Sequence, residues 1–259
     1  WLSPGEACDI PFSGASPQAA ETAVREALSG AAVDLLAQPA AGRRKSLLVA
    51  DMDCTIITTE TLDELAARAG RKEDTAAITE RAMRGEIDFA EALKERVAML
   101  EGLEQGALEV TLAAVALSPG AETLVRTMAG NGVHTVLVSG GFGFFTEPVA
   151  AMAGFDETRS NRFEIADGRL TGRVIEPILG PEAKLETLTG LSAERQISLA
   201  RTLAIGDGAN DAPMIRAAGL GIAYRGKPVA REAARARIEA CGLTAASYML
   251  GYRRDEFAR

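Results

Sequence analysis

The chain has 259 residues, 47% of them apolar, and a formal net charge of −8. That length suffices for one large or two modest domains with a real core. The acidic balance excludes a broad nucleic-acid or anionic-membrane surface, though not a small anion held locally by a metal and one or two basic groups.

No apolar run reaches transmembrane length and no signal peptide is visible, so with this charge neither membrane nor nucleic acid is expected as a partner. The first residue is Trp1 rather than Met, and a fragment or processed chain is expected. Cys8, Cys54 and Cys241 are far apart. They fit neither a zinc site nor a disulfide framework, and reduced thiols in the cytoplasm are the expectation.

In chain order, residues 1–44 read as a small separate α/β unit. Cys8 to Phe12 is extended. Ser16-Pro17 is a helix start, an N-cap with Pro at the first helical position. Val24, Ala27, Leu28 and Ala31 give that helix an apolar stripe, and the alternation Val33, Leu35, Ala37 predicts a strand. So short a unit must pack on something, and residues 40–45 form a basic linker. Leu47-Leu48-Val49-Ala50 then reads as a buried strand that ends on Asp51-Met52-Asp53-Cys54-Thr55.

Residues 60–118 read as an all-helical insertion. Thr61 with Glu64 predicts a capping box, as does Asp88 with Glu91, and Gly85 is expected to break a helix. From 120 an α/β rhythm resumes. A helix ends at Gly130-Asn131-Gly132. Val133 to Val138 is a strand followed by Ser139-Gly140, and residues 162–174 suggest a hairpin turning at Asp167-Gly168. Lys184 opens a helix. Thr202 to Ile205 is a strand followed by Gly206-Asp207-Gly208-Ala209-Asn210-Asp211. Leu220 to Ala223 is a further strand, and the end reads as helical. His134, the one histidine, sits inside a strand and reads as structural. Strands alternating with helices predict a parallel sheet.

In such sheets, sites form beyond the carboxyl ends of the strands. Those ends carry Asp51 and Asp53, then Ser139-Gly140, then Asp207, Asn210 and Asp211, with Lys184 nearby. Phosphoryl transfer needs this set. A carboxylate can attack phosphorus to give an aspartyl-phosphate. Mg²⁺ prefers oxygen ligands, and Asp51 and Asp207 suit it. Lys184 supplies a second positive charge. The Ser139 hydroxyl and the Ser139 and Gly140 amides can hold phosphoryl oxygens. Asp53 is placed to act as general acid and then base.

These four stretches, in this order, resemble the four motifs of the haloacid dehalogenase superfamily of phosphatases. The resemblance implies a Rossmann-like parallel sheet core over 45–259, a helical cap insertion at about 60–118, and a small N-terminal α/β extension over 1–44. Glu60, the run Glu80 to Phe89, and Arg96 are further similar to the cap of the phosphoserine phosphatase family. By resemblance, Asp51 is the nucleophile and Asp53 the acid/base. Mg²⁺ is held by Asp51, the Asp53 carbonyl and Asp207, with Asp211 behind them. Ser139, Gly140 and Lys184 bind phosphate beside Asn210. Glu60 and Arg96 pair with the ammonium and carboxylate of O-phospho-L-serine, while Met83 and Phe89 form an apolar lid. From the residues alone, Arg96 reads rather as a solvated helix charge, and Met83 and Phe89 as core packing; the resemblance reverses that reading. Residues 1–44 resemble a partial ACT-like extension. Cys54 departs from the small residue expected there, and oxidant sensitivity follows as an expectation.

Several patterns fail their chemistry. Gly221 to Lys227 nearly spells a P-loop, but Pro228 offers neither hydroxyl nor N–H. Gly141-Phe142-Gly143 lacks a third glycine. Each cysteine lacks the arginine a cysteine phosphatase needs. The run from Asp207 fails the calcium-loop pattern. Three readings stay open: a phosphoserine phosphatase of serine biosynthesis, a related phosphatase or phosphotransferase on another small phosphomonoester, and an amino-acid-sensing binding protein with an idle catalytic fold. Either a monomer or a homodimer is compatible with the sequence.

Overall fold

The computed structural model describes residues 1–84 and 86–258, apart from the side chain of Met83. Its strands are β1 (Leu47–Ala50), β2 (His134–Phe142), β3 (Glu157–Ala166), β4 (Arg169–Ile175), β5 (Thr202–Gly206), β6 (Leu220–Tyr224) and β7 (Ala236–Ile238). They form one sheet in the order β4-β3-β2-β1-β5-β6-β7. Every pairing is parallel except the β3–β4 hairpin. That hairpin turns on Asp167 and Gly168, both at positive φ, the turn its sequence predicts.

The sheet is central because its middle is apolar on both faces. Leu47, Leu48, Val49 and Ala50 are completely buried. Leu48 and Ala50 join a cluster with Leu124 and Leu137, and Leu47 and Val49 join another with Leu188 and Ile215. Each such leucine or valine contributes about 1.5–3 kcal/mol relative to exposure. This makes β1 a rigid base for the two acids that follow it.

Between β1 and β2 lie α2 (Thr61–Arg68), α3 (Lys72–Met83), α4 (Phe89–Ala98) and α5 (Gln105–Ala113), following the N-terminal α1 (Pro17–Ala27). No described strand interrupts them. Asp88 caps α4 by accepting from the Glu91 amide at 2.8 Å, as its sequence predicts. The break assigned to Gly85 lies outside the described residues. The remaining helices are α6 (Ala121–Gly130), α7 (Gly143–Ala153), α8 (Ala183–Glu194), α9 (Ala212–Ala217), α10 (Pro228–Ala233) and α11 (Thr244–Met249). No described helix is long and apolar enough to cross a membrane.

Four local expectations need correction. Residues 31–39 form no strand. Their polar groups find partners elsewhere: the Asp34 carboxylate accepts from the backbone amides of Glu239, Ala240 and Cys241, and the Ala37 amide donates to the Glu21 carboxylate. Cys8 to Phe12 likewise has no strand to pair with. The Val24 and Leu28 stripe of α1 is exposed, because this unit is held to the core by polar contacts such as Arg235 to Glu21 at 2.9 Å. Finally, β7 falls where only helix is expected, a three-residue strand too short to show periodicity.

Glu21 makes the docking of α1 sensitive to acid. Burial tends to raise its pKa, but Arg25, the Ala37 amide and Arg235 outweigh that and leave it lowered. Stability from this carboxylate is therefore present above its unfolded-state pKa and is lost as pH falls through the lowered folded one. Thermal unfolding of Glu21→Gln beside the parent chain should show a deficit near neutrality. The deficit should shrink as pH drops through the carboxylate range.

Candidate active site

β1 ends with Ala50 level with Leu137 of β2 and Ile205 of β5. Asp51, Ser139 and Asp207 therefore emerge at one end of three adjacent strands. β2 continues past the expected end at Val138 to Phe142. Phe142 pairs with Asn161 of β3, and the Asn161 side chain donates to the Gly140 carbonyl at 2.9 Å, which extends the strand.

After β1 the backbone makes a single wide turn over Met52–Ile56. The Asp51 carboxylate accepts from the Met52 amide at 2.8 Å. Asp53 leaves the helical region, and Cys54 adopts a left-handed conformation at φ 55°. That conformation favours glycine, which gives a backbone reason for a small residue there. Asp53 accepts from the Thr61 amide at 2.8 Å and from the Ser139 hydroxyl at 3.2 Å. This replaces the expected Thr61–Glu64 capping box: Glu60 is the N-cap of α2, with no side-chain cap bond, and Asp53 serves the first turn from outside the helix.

Lys184, on α8, is buried between carboxylates. Its Nζ lies 2.6 Å from Asp51 Oδ1 and 2.5 Å from Asp211 Oδ1. The other Asp211 oxygen accepts from the amides of Asp207 at 3.0 Å and Gly208 at 2.8 Å. Asp211 thus folds the 206–211 loop back on itself. Gly206 is required there, because a Cβ would collide with the Asp211 carboxylate. Carboxylate oxygens of Asp51, Asp207 and Asp211 lie within 4.8 Å of one another, all three residues buried.

Four carboxylates, Asp51, Asp53, Asp207 and Asp211, face this one buried ammonium. Burial first, then Asp211, pushes the Asp51 pKa well above the usual carboxylate range against the pull of Lys184. Burial also raises Asp53 against the Thr61 and Ser139 bonds, and raises Asp207 against Lys227. Excess buried negative charge and an all-oxygen donor set fit a hard divalent cation. Both Asp211 oxygens are already engaged, which leaves Asp51 and Asp207 as the available side chains.

A narrow crevice beside the acids is lined by Phe89, Ser139, Gly140, Lys184 and Asn210 among others. Phe89 opens α4 directly over Gly140, where a Cβ would lie 3.2 Å from the ring. Glu60 accepts from the Cys54 thiol at 3.7 Å. Although part of Glu60 faces solvent, burial and then Asp53 push its carboxyl up to about 7. Arg96 follows Phe89 by seven residues on α4, hence on the same face. It pairs with Asp63 at 2.6 Å, while its Nε is buried without a partner among the described residues. The Met83 side chain lies outside the described residues.

Burial first, and then Glu60, Asp207 and Asp53, pushes the Cys54 thiol up to about 12. A thiol held protonated is a poor target for oxidants. The structure thus speaks against the oxidant sensitivity expected from sequence, and Cys54 should alkylate with iodoacetamide at pH 8 far more slowly than a free cysteine, as mass spectrometry of the labelled peptides would show.

Sequence reasoning missed two residues. Asp63 sits one turn after Glu60, and nothing local marks it as the partner of Arg96. Lys227 belongs to the failed P-loop, yet its Nζ lies 3.6 Å from Asp207 Oδ2. Its place one loop beyond β6, at the carboxyl edge of the sheet, was the available signal.

Residues 48–216 match the family model of the haloacid dehalogenase-like hydrolases. A phosphoserine phosphatase from Idiomarina loihiensis is 46% identical over 70% of this chain and 83% of its own length. The chain belongs to the haloacid dehalogenase-like hydrolases, among the phosphoserine phosphatases. A Streptomyces coelicolor phosphoserine phosphatase is 41% identical over 98% of this chain but only 62% of its own length, so the chain spans less than two thirds of that relative. A solved phosphoserine phosphatase described as a phospho-aspartyl intermediate analogue is 35% identical, with a TM-score of 0.72, over 79% of this chain and 98% of that one. Membership of this family accounts for the parallel core with a helical insertion between β1 and β2.

Proposed function

We propose that the chain hydrolyses O-phospho-L-serine to L-serine and phosphate through an aspartyl-phosphate on Asp51, in the cytoplasm, as the last step of serine biosynthesis. The observation that carries the chemistry is the buried Asp51, paired to Lys184, with Asp53 held two residues on by Thr61 and Ser139. The similarity to phosphoserine phosphatases supports the substrate. The proposed organisation is an extension over 1–44 and a phosphatase core over 45–259 that carries the cap at about 60–118.

In the first step an Asp51 oxygen attacks phosphorus and the bond to the seryl oxygen breaks. Asp53, held in place by Thr61 and Ser139, passes a proton to that oxygen. In the second step Asp53 takes a proton from water, which attacks the aspartyl-phosphate and releases phosphate and free Asp51. Lys184 orients Asp51 and faces the phosphoryl group. Ser139, Gly140 and Asn210 line the crevice that would receive its oxygens. Asp51 and Asp207, with the Asp53 carbonyl, would hold Mg²⁺, and Asp211 braces the loop. When bound, Mg²⁺ neutralises charge between the carboxylate and the phosphate.

For the amino-acid end, Glu60 is assigned to the ammonium and Arg96 to the carboxylate, with Phe89 and Met83 as the apolar cover. Arg96 Nε, without a partner among the described residues, is a buried donor that an acceptor on the substrate could meet. Arg96→Ala should lower kcat/KM for phosphoserine by about 10–100-fold. The effect on phosphoethanolamine, which lacks the carboxylate, should be much smaller. Equal losses on both esters would remove Arg96 from substrate recognition.

The test of the whole reading is phosphate release with Mg²⁺ from O-phospho-L-serine against a panel of small phosphate esters. A strong preference for phosphoserine supports it. Turnover of other esters alone would retain the chemistry and discard the cap assignment.

A further inference from the structure

Lys227 is a charge beside the acid cluster that the proposed reaction does not use. Its root is fixed. The Lys227 amide donates to the Asp207 carbonyl at 2.7 Å. Gly226 before it packs so closely that a Cβ would lie 3.0 Å from Ala223 and 3.3 Å from Ala230. Pro228 after it begins α10. The Lys227 side chain, by contrast, is 60% exposed, and its ammonium stands 3.6 Å from Asp207 Oδ2, beyond hydrogen-bond range. Lys184 contrasts with it in every respect: 4% exposed, and in bonding contact with both Asp51 and Asp211.

One cation is therefore locked into the site, and the other is tethered at its backbone with a side chain free to leave. Asp207 is also one of the two carboxylates left available for a divalent cation. A dication and an ammonium cannot share that carboxylate without strong repulsion.

We propose that Lys227 is a built-in counter-ion of the metal site: its ammonium neutralises Asp207 before the metal arrives and yields that place to the divalent cation, thereby weakening and tuning metal affinity. Glu60 also acts electrostatically on the same ammonium, so the ammonium has a second acidic neighbour to turn to when displaced. The proposal rests on the reading of Asp51 and Asp207 as metal ligands, but not on the identity of the substrate.

The test is isothermal titration of the whole chain with Mg²⁺, and with Mn²⁺ as a second probe, in the absence of any phosphate ester. Lys227→Met keeps the aliphatic stem and removes the charge, and it should bind Mg²⁺ about tenfold more tightly than the parent chain. Lys227→Arg should return the affinity towards the parent value. Arg231→Gln, which removes an exposed cation of the same helix paired to Glu239, should change it little and so controls for net charge. Urea unfolding of each variant verifies the fold. Unchanged or weaker binding in Lys227→Met, with binding intact in the parent chain, would overturn the role of Lys227 alone. No binding by the parent chain would overturn the metal reading and this proposal with it.

Discussion

Asp51→Asn should abolish phosphate release, by about 10⁴-fold or more, while leaving the folded metal-free protein at least as stable as the parent. The two effects have one cause. Asp51 is the carboxylate that carries the phosphoryl group in the proposed chemistry, and an amide oxygen cannot replace it as a nucleophile. Asp51 is also one of four acids, three of them buried, opposed by a single buried ammonium. Burial and Asp211 already push its pKa far up, which means the ionised form is costly where it stands. An asparagine of the same shape removes one charge from that excess and still accepts from the Met52 amide. Lys184 retains Asp211 at 2.5 Å. A gain near 1 kcal/mol would raise the melting temperature by about 2–4 °C for a chain of this size. Calorimetry in EDTA reads this directly, and a malachite-green phosphate assay with Mg²⁺ reads the other half. A clear fall in melting temperature would show that the Asp51–Lys184 pair is worth more than the repulsion it relieves.

The parts of this molecule that could be read from the chain are those in which the local pattern and the tertiary partner agree. Leu47 to Ala50 is apolar without alternation, and a strand buried on both faces is the one place such a run fits. The acid pair after it follows from the topology of parallel sheets, and the same logic locates Ser139 and Asp207. Asp167-Gly168 spells its own turn. Where a distant group takes over a local bond, the chain gives no warning. Thr61 has the sequence of a capping box, yet its amide is taken by Asp53, eight residues upstream and on another element. Residues 33–37 alternate like a strand, but Asp34 is captured by three amides more than two hundred residues away. The stripe on α1 has helical spacing and no surface to cover. Lys227 shows the reverse case: a motif rightly rejected for nucleotide binding still delivers its lysine to the acid cluster, because β6 ends beside β5.

Lys184→Met should be the most damaging single change to stability, and it should cost activity as well. The side chain is buried, with its Nζ at 2.6 and 2.5 Å from two carboxylates that are themselves buried. Methionine matches the stem and fills the space, so cavity formation contributes little. What remains is charge: Asp51 and Asp211 face each other with no counter-ion between them. Removing one partner of a buried pair typically costs about 3–5 kcal/mol, because the survivor is left charged in a poorly solvated place. Here two survivors share the loss. The cost should be largest in EDTA and partly recovered in millimolar Mg²⁺, since a dication near Asp51 and Asp207 supplies some of the missing charge. Activity should not recover with it. Lys184 is assigned to orient Asp51 and face the phosphoryl group, and a cation placed elsewhere does neither. Denaturant unfolding with and without Mg²⁺, set beside the rate of phosphate release, separates the two contributions. Stability restored by metal together with full turnover would reduce Lys184 to a structural counter-ion, whereas restored stability with a dead enzyme would place its charge in the reaction.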